Sequence, residues 1–592
     1  MADDDKHAWL IGAATAALSA VVGLLAIWLV PMVGGTDTPT HVAFAMLLAN
    51  PEPAAGLIAT GLAPTSQLFV WLAIPFVPLG AAVAAKASTS LTFLTYLGGA
   101  VALGTTLTGR RSLAAPLATA SFFGFSFAMG FFNFALAAGL GMGMMAASVA
   151  AARTPSLARA VVLAALGALT LHAHVIVFGM FFVQSALLAI WSADRARLGR
   201  SAITFALALL PSALVSLWLV AAVGRGLAGA GLAGGMGNQR LVATEQLENL
   251  WCTTFGGLSP VGWIAAATTL AMAFAGAGRR AGWAIATSLV VWLAVYATVP
   301  FHVAGWAFAQ PRALLPLIAV LVGFAGTTGP SAFGRLLAVG VMTAHVATAW
   351  PTMRDDGQVT AEAVASLGSE PTGRALVVRM SGGGDAERRY VTPLLHVAQY
   401  AVGHGGVDPD WEAMNPVIHA VRAAEVPQPT RLPQFLFVGR DCSLNDACEN
   451  FGQMAVDRAV VVAPSFDSVL VTGASAEELA LFEGRGFVRV SPARFSPPTP
   501  RTLSVTLEVL PAHAGVPLAV RLVFPETVGP YAGVAIPPGP ARSVVGIPVG
   551  PVPEGGMLVE VTTDRGDVLS RVPIDVTAAA PLTLPLTLRT GD

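Results

Sequence analysis

From Ala8 to Trp350 the sequence is a succession of apolar runs, each about as long as a lipid bilayer is thick. Between Lys6 and Trp350 it carries five carboxylates: Asp37, Glu52, Asp194, Glu245 and Glu248. No soluble core can take up so many apolar runs while so few charges face water. With 55% of the 592 residues hydrophobic and 11% charged, the chain reads as a polytopic α-helical membrane protein rather than a soluble globule. The net charge of -1 gives no basis for a nucleic-acid partner; the expected partner is the lipid bilayer.

The runs predict eleven spans, near 8–30, 89–108, 113–131, 133–152, 158–175, 176–192, 201–222, 259–277, 281–299, 313–328 and 333–350. The leader before the first run contains Asp3, Asp4 and Asp5, where a signal peptide carries positive charge, and the run is of full spanning length. It reads as a retained helix. Segment 67–86 is apolar enough to span, but treating it as an interfacial or dipping helix puts Arg110, Arg111, Arg153, Arg159, Arg195, Arg197, Arg200, Arg279, Arg280 and Arg335 on one side. That satisfies the positive-inside rule, with the N-terminus cytoplasmic and the C-terminal part outside. Arginine outnumbers lysine 31 to two, and Ala and Gly abound, as in products of GC-rich bacterial genomes. The expected location is therefore the bacterial inner membrane, multi-pass, with a periplasmic C-terminal part.

After Trp350 the composition becomes that of a soluble domain. Ala375–Met380, Phe435–Val438, Ala459–Ala463 and Ser468–Val471 read as short strands, with helices near 392–403, 411–424 and 476–484 between them. From Pro497, alternating segments punctuated by Pro and Gly read as all-β: Leu503–Leu510, Leu518–Phe524, Met557–Thr562 and Leu582–Leu588. The expected layout is a membrane domain 1–350, an extracytoplasmic α/β domain 351–496 and a β-rich module 497–592. Cys442 and Cys448 lie in the middle part and form a candidate disulfide in an oxidising compartment, the alternative being two free thiols. Neither has companions at zinc-finger spacing.

Asp37 lies in Gly34-Gly35-Thr36-Asp37-Thr38-Pro39-Thr40-His41, just past the first span on its outer side. With Pro39 in the first turn of a following helix, Asp37 is placed to cap it. It is equally placed to act as a general base at the membrane surface, with His41 four residues on as a catalytic partner. His172 and His174 close the fifth span on the outer side. Imidazoles there are costly unless they hydrogen-bond to neighbouring helices or face a polar cavity that binds substrate. Asn133 falls at another outer helix end, as a cap or as a lining residue of the same cavity. Arg312 begins the tenth span on the outer side, where few arginines are expected. It either snorkels to the interface or holds a lipid phosphate. Glu245 and Glu248, in the outer loop 223–258, are a solvated face or further substrate-binding or metal-binding acids.

These residues resemble the GT-C superfamily of membrane glycosyltransferases. Asp37 in GGTDTPTHVAFA matches the acid that such enzymes carry in the first outer loop. LFVWLAIPFVPLG, followed by the span ending Gly109-Arg110-Arg111, is similar to their amphipathic outer segment and the span after it. QPRALLPLIAVLVGF looks like the late span of aminoarabinose transferases and protein O-mannosyltransferases. The resemblance covers about residues 8–350. It implies a polyprenyl-phosphate-linked sugar as donor and an acceptor, of unknown identity, on the extracytoplasmic face. Many relatives have two adjacent acids in that loop, whereas Thr38 follows Asp37 here, which favours a lone base and leaves the need for Mg or Mn open. Two other classes compete: a transporter or flippase, and a non-catalytic envelope assembly protein. No acid falls inside a predicted span and no matching halves are visible, which weighs against the transporter.

Overall fold

The computed structural model describes residues 3–35, 37–50, 58–60, 65–108, 113–229, 259, 261–275, 277–299, 309–325, 332–367, 375–379, 400, 406–407, 421–423, 456, 467–472, 474–492, 494–498, 501–513, 516–523, 532–536, 542–549, 557–563, 568–574 and 583–589. Glu245, Glu248, Cys442 and Cys448 lie outside them, as do the strands expected at 435–438 and 459–463. The chain divides into two compact units. One comprises Met1–Ala45, Leu62–Gln358 and Asn415–Ala420; the other comprises Met46–Gly61, Val359–Met414 and Val421–Asp592.

The first unit is helical. In chain order its elements are α1 (Asp3–Trp28), α2 (Thr38–Ala49), α3 (Leu68–Ala73) with a 3-10 turn over Ile74–Leu79, α4 (Ala81–Thr108), α5 (Ala114–Phe122), α6 (Phe125–Ala128), α7 (Phe132–Arg153), α8 (Leu157–Ala173), α9 (Val175–Ser192), α10 (Leu198–Gly229), α11 (Gly262–Ala275), α12 (Arg279–Thr298), α13 (Ala309–Arg312), α14 (Leu315–Phe324) and α15 (Ala332–Leu367). By length and composition, seven helices among the described residues can cross a membrane, within α1, α4, α7, α9, α10, α12 and α15. Each of the eleven predicted runs contains helix. The run at 113–131 is broken, because the chain turns between α5 and α6 and again at Gly130, whose φ is +69°. The long last helix does not stop where the composition changes at Trp350 but continues to Leu367.

The boundary in segment 67–86 differs from the sequence reading. Pro75, Pro78 and Gly80 (φ +96°) end α3 and its 3-10 extension, so the segment is not one helix. Ala81–Lys86, free of proline and glycine, instead joins the following span and lengthens it at its N-terminal end.

Helix α7 is the centre of the unit. It packs against α4, α8, α9 and α10, and 17 of its 22 residues are buried. Glycine lets α4 and α7 touch backbone to backbone. A Cβ on Gly99 would stand 2.0 Å from the Gly139 carbonyl oxygen, and one on Gly139 would stand 2.7 Å from the Tyr96 main chain. Small residues at such contacts are the usual means of helix association in lipid. Gly139→Leu is therefore expected to force α4 off α7. Overpacking of this kind costs about 1–3 kcal/mol or more, so a clear fall in melting temperature by scanning fluorimetry is the expected result. A melting curve like that of the unaltered protein would refute the contact. By contrast α10 leaves Ile203, Leu207, Leu210, Leu214, Leu217 and Trp218 exposed, an apolar face of the kind that lipid covers.

The two ends of α7 differ chemically. At about 1.5 Å per residue its 22 residues cover about 33 Å, close to the thickness of a hydrocarbon core. Its C-terminal end lies among arginines that satisfy helix-end carbonyls. Arg153 donates to Thr106 O (2.6 Å), Arg159 to Ala150 O (2.9 Å) and Thr154 O (2.6 Å), and Arg280 to Ala193 O (3.0 Å). Cations there also meet the negative ends of the helix dipoles. The N-terminal end of α7 lies beside Asp37 and the other residues considered below.

The second unit is mostly β. Strand β1 (Ile58–Thr60) pairs antiparallel with β4 (Val421–Ala423). Of the helix expected over 411–424 only Val421–Ala423 is described, and these residues form a strand paired with β1. Strands β2 (Ala375–Arg379), β3 (Gly406–Val407), β5 (Ser468–Thr472), β6 (Val488–Ser491) and β7 (Arg494–Ser496) form a mixed sheet in the order β3-β2-β5-β7-β6. The intervening helix α16 (Ala476–Gly484) starts with a capping box, Ser475 with Glu478. Further on, β9 (Leu518–Val523), β10 (Ala532–Ile536), β12 (Met557–Thr563) and β13 (Val568–Ile574) make an antiparallel sheet. Strands β8 (Arg501–Glu508), β11 (Arg542–Val549) and β14 (Thr583–Arg589) make a second sheet. Alternate residues Val505 and Leu507, Leu518 and Val520, and Val559 and Val561 are buried, as the period of a half-buried strand requires.

Candidate functional site

The turn that carries Asp37 is fixed by main-chain contacts. Asp37 donates its backbone N–H to Met129 O (2.9 Å), and Thr38 Oγ1 donates to Gly34 O (2.8 Å). Gly35 and Gly130 have φ of +111° and +69°, and a Cβ on Gly130 would meet Thr38 Oγ1 at 2.6 Å. Only glycine permits both the conformation and the approach. Asp37 thus stands half-buried in the position that caps α2, against the turn leading into α7. On the other side, a Cβ on Gly34 would stand 3.0 Å from Asp356 Cβ, so α15 backs this turn with a buried acid. The tally of acids up to Trp350 missed Asp356, because the last helix runs past the apparent end of the membrane segment.

One turn into α2, His41 meets α7 and α3. Its Nδ1 lies 3.4 Å from Asn133 Nδ2, and its ring stands edge-on to Phe69 at 5.4 Å. Asn133, in the first turn of α7, is buried and donates through Nδ2 to Ser66 O (2.9 Å). A carbonyl can only accept, so this bond fixes which end of the amide faces His41.

His174 divides α8 from α9. Its extended backbone (φ -166°, ψ 122°) ends one helix, and its Nδ1 accepts the Ile176 N–H (3.3 Å) at the start of the next. Its ring centre lies 3.9 Å from that of Phe134. The Arg312 guanidinium lies 4.0 Å from the same Phe134 ring and 4.4 Å from Phe131. The aromatic faces stabilise the Arg312 charge where it is partly withdrawn from water. His172 turns to α3 instead: its ring meets Trp71 at 5.0 Å and its carbonyl accepts the Gln67 N–H at 3.4 Å.

Five residues singled out in the sequence therefore join through one network at one end of the bundle: Asp37, His41, Asn133, His174 and Arg312. His172 borders it through α3. Sequence reasoning missed Phe131, Phe134, Phe69 and Ser66, although the run Phe131-Phe132-Asn133-Phe134 at a helix start marks aromatic side chains around a polar one. The combination offers several N–H donors, a cation on an aromatic bed and the Asp37 carboxylate. Such a set suits a ligand rich in oxygen and negative charge.

No family model matches the sequence, and no curated protein does. Among solved structures the chain is similar to ArnT from Cupriavidus metallidurans bound to undecaprenyl phosphate, at 11% identity and a TM-score of 0.46, over 82% of this chain and 97% of that one. It is similar to the Archaeoglobus fulgidus oligosaccharyltransferase at 10% identity and a TM-score of 0.42, over 98% and 99%. It is also similar to the arabinofuranosyltransferase AftD from Mycobacteria at 14% identity and a TM-score of 0.44, over 86% of this chain. It spans 40% of the length of AftD.

Among the described residues, no three His, Cys, Asp or Glu side chains gather as a metal-ligand set.

Proposed function

We propose that this protein is an integral-membrane glycosyltransferase that moves a sugar from a polyprenyl-phosphate-linked donor to an acceptor on the extracytoplasmic face. The observation that carries the reading is the juxtaposition, at one end of the helical unit, of a carboxylate (Asp37) with a donor-rich, cationic group (His41, His174 and Arg312). Its distance along α7 from the arginine-rich end supports an extracytoplasmic position, since arginines mark the cytoplasmic side.

In this reading Asp37 removes the proton of the acceptor hydroxyl or amine as that atom bonds to the anomeric carbon. The bond from that carbon to the phosphate oxygen breaks, and the electron pair leaves with the polyprenyl phosphate. Arg312 holds the phosphate and takes up its growing charge, with the imidazoles as further hydrogen-bond donors. Purified protein in proteoliposomes, given a polyprenyl-phosphate sugar and an extract of envelope glycans, is expected to release polyprenyl phosphate and label an acceptor. Movement of the lipid-linked sugar between leaflets without its cleavage would replace this reading with the flippase.

A further inference from the structure

We propose that Asn133 is a positioning residue that sets the tautomer of His41, holding its proton on Nε2 and leaving Nδ1 as an acceptor. Asn133 is 5% exposed, so its amide cannot exchange freely among water partners. One Nδ2 hydrogen goes to the Ser66 carbonyl at 2.9 Å, and the other faces His41 Nδ1 at 3.4 Å. The Ser66 bond excludes the flipped amide, because the flip would set Oδ1 against a carbonyl oxygen. With an N–H aimed at it, Nδ1 of a neutral imidazole must be the unprotonated nitrogen, and the proton resides on Nε2.

Two further features show that this arrangement is held against a cost. Ser66 has φ +60°, the one positive value outside glycine among the described residues, and this conformation presents its carbonyl to Asn133. The Asn133 Oδ1 is buried and lacks a hydrogen-bond partner in the described structure. Buried orphan acceptors are rare and costly unless function retains them. Holding the amide by its nitrogen is what leaves that oxygen without a partner. His174, whose Nδ1 accepts the Ile176 N–H, is held in the same tautomer by main chain alone. Both rings then offer Nε2–H as donors, and His41 serves as a donor rather than as a second base beside Asp37.

The use of that donor in catalysis rests on the glycosyltransferase reading, but the tautomer does not. The test therefore begins with nitrogen NMR of the full-length protein carrying 15N-labelled histidine. The His41 signals among the ten histidines are identified by their loss in His41→Gln. The expected spectrum at neutral pH shows an unprotonated Nδ1 and a protonated Nε2. In Asn133→Ala the two tautomers mix, and in Asn133→Asp the new carboxylate draws a proton onto Nδ1. If the transfer assay is active, Asn133→Ala lowers kcat by about two- to tenfold with the donor KM unchanged, the loss of one hydrogen bond. A protonated Nδ1 in the unaltered protein overturns the proposal before any variant is made. So does an Asn133→Ala spectrum identical to the original.

Discussion

Changing Asp37 to asparagine is expected to lower the rate of sugar transfer by about 10²–10⁴, the usual cost of removing a general base. Expression, membrane insertion and melting temperature should stay as they were. The contacts that shape this turn explain why the two can separate. The bond from Asp37 to Met129 is made by main chain, Thr38 supplies the hydroxyl to Gly34, and the approach of Gly35 to Gly130 depends on glycine. Asparagine also caps helices about as well as aspartate, so a residue that only capped α2 would lose little on the change. Single-turnover transfer from a polyprenyl-phosphate sugar, with melting measured on the same preparation, distinguishes the two roles. A stable variant with near-normal transfer would remove Asp37 from the chemistry and make Glu245 and Glu248 the next acids to change.

The sequence made the helical unit legible because lipid simplifies the pattern. A helix in hydrocarbon must satisfy its own backbone and be apolar over its length, so each run announces itself without periodicity. What it could not announce was where a run breaks. The run at 113–131 reads as one span, yet the chain turns between α5 and α6 and again at Gly130, whereas the division between 158–175 and 176–192 falls beside His174, which takes an extended backbone and caps the next helix with its own ring. The candidate site was legible where polar side chains stand out against apolar surroundings, as at Asp37, His41, Asn133 and Arg312. Its aromatic bed was not, since Phe131 and Phe134 look like any other apolar residues until Arg312 is found upon them. Ser66 was hidden for another reason. Its contribution is a backbone carbonyl presented by an unusual φ, and no side-chain pattern records that. Asp356 was passed over because α15 carries on into polar sequence, where composition alone suggested that the membrane unit had ended.

Arg312→Ala is expected to weaken donor binding by about ten- to a hundredfold, since a hydrogen bond to a charged group is worth about 1.5–3 kcal/mol. The change also strips a cation from the faces of Phe131 and Phe134, so part of any loss could come from repacking. Arg312→Lys separates the contributions. Lysine keeps the charge and can reach the membrane surface, but it has no planar fork to lie on two rings and grip a phosphate through paired N–H groups. An arginine that merely carries its head group to the interface is replaced by lysine without loss of affinity. An arginine that binds phosphate from its aromatic bed leaves Arg312→Lys between the original protein and Arg312→Ala. Binding of polyprenyl phosphate alone, measured by its protection against heat, reads this without needing the acceptor or turnover. It also keeps the result independent of Asp37, whose carboxylate has no part in holding the leaving group. Equal protection of all three proteins would return Arg312 to a surface anchor and leave the phosphate site to be sought elsewhere.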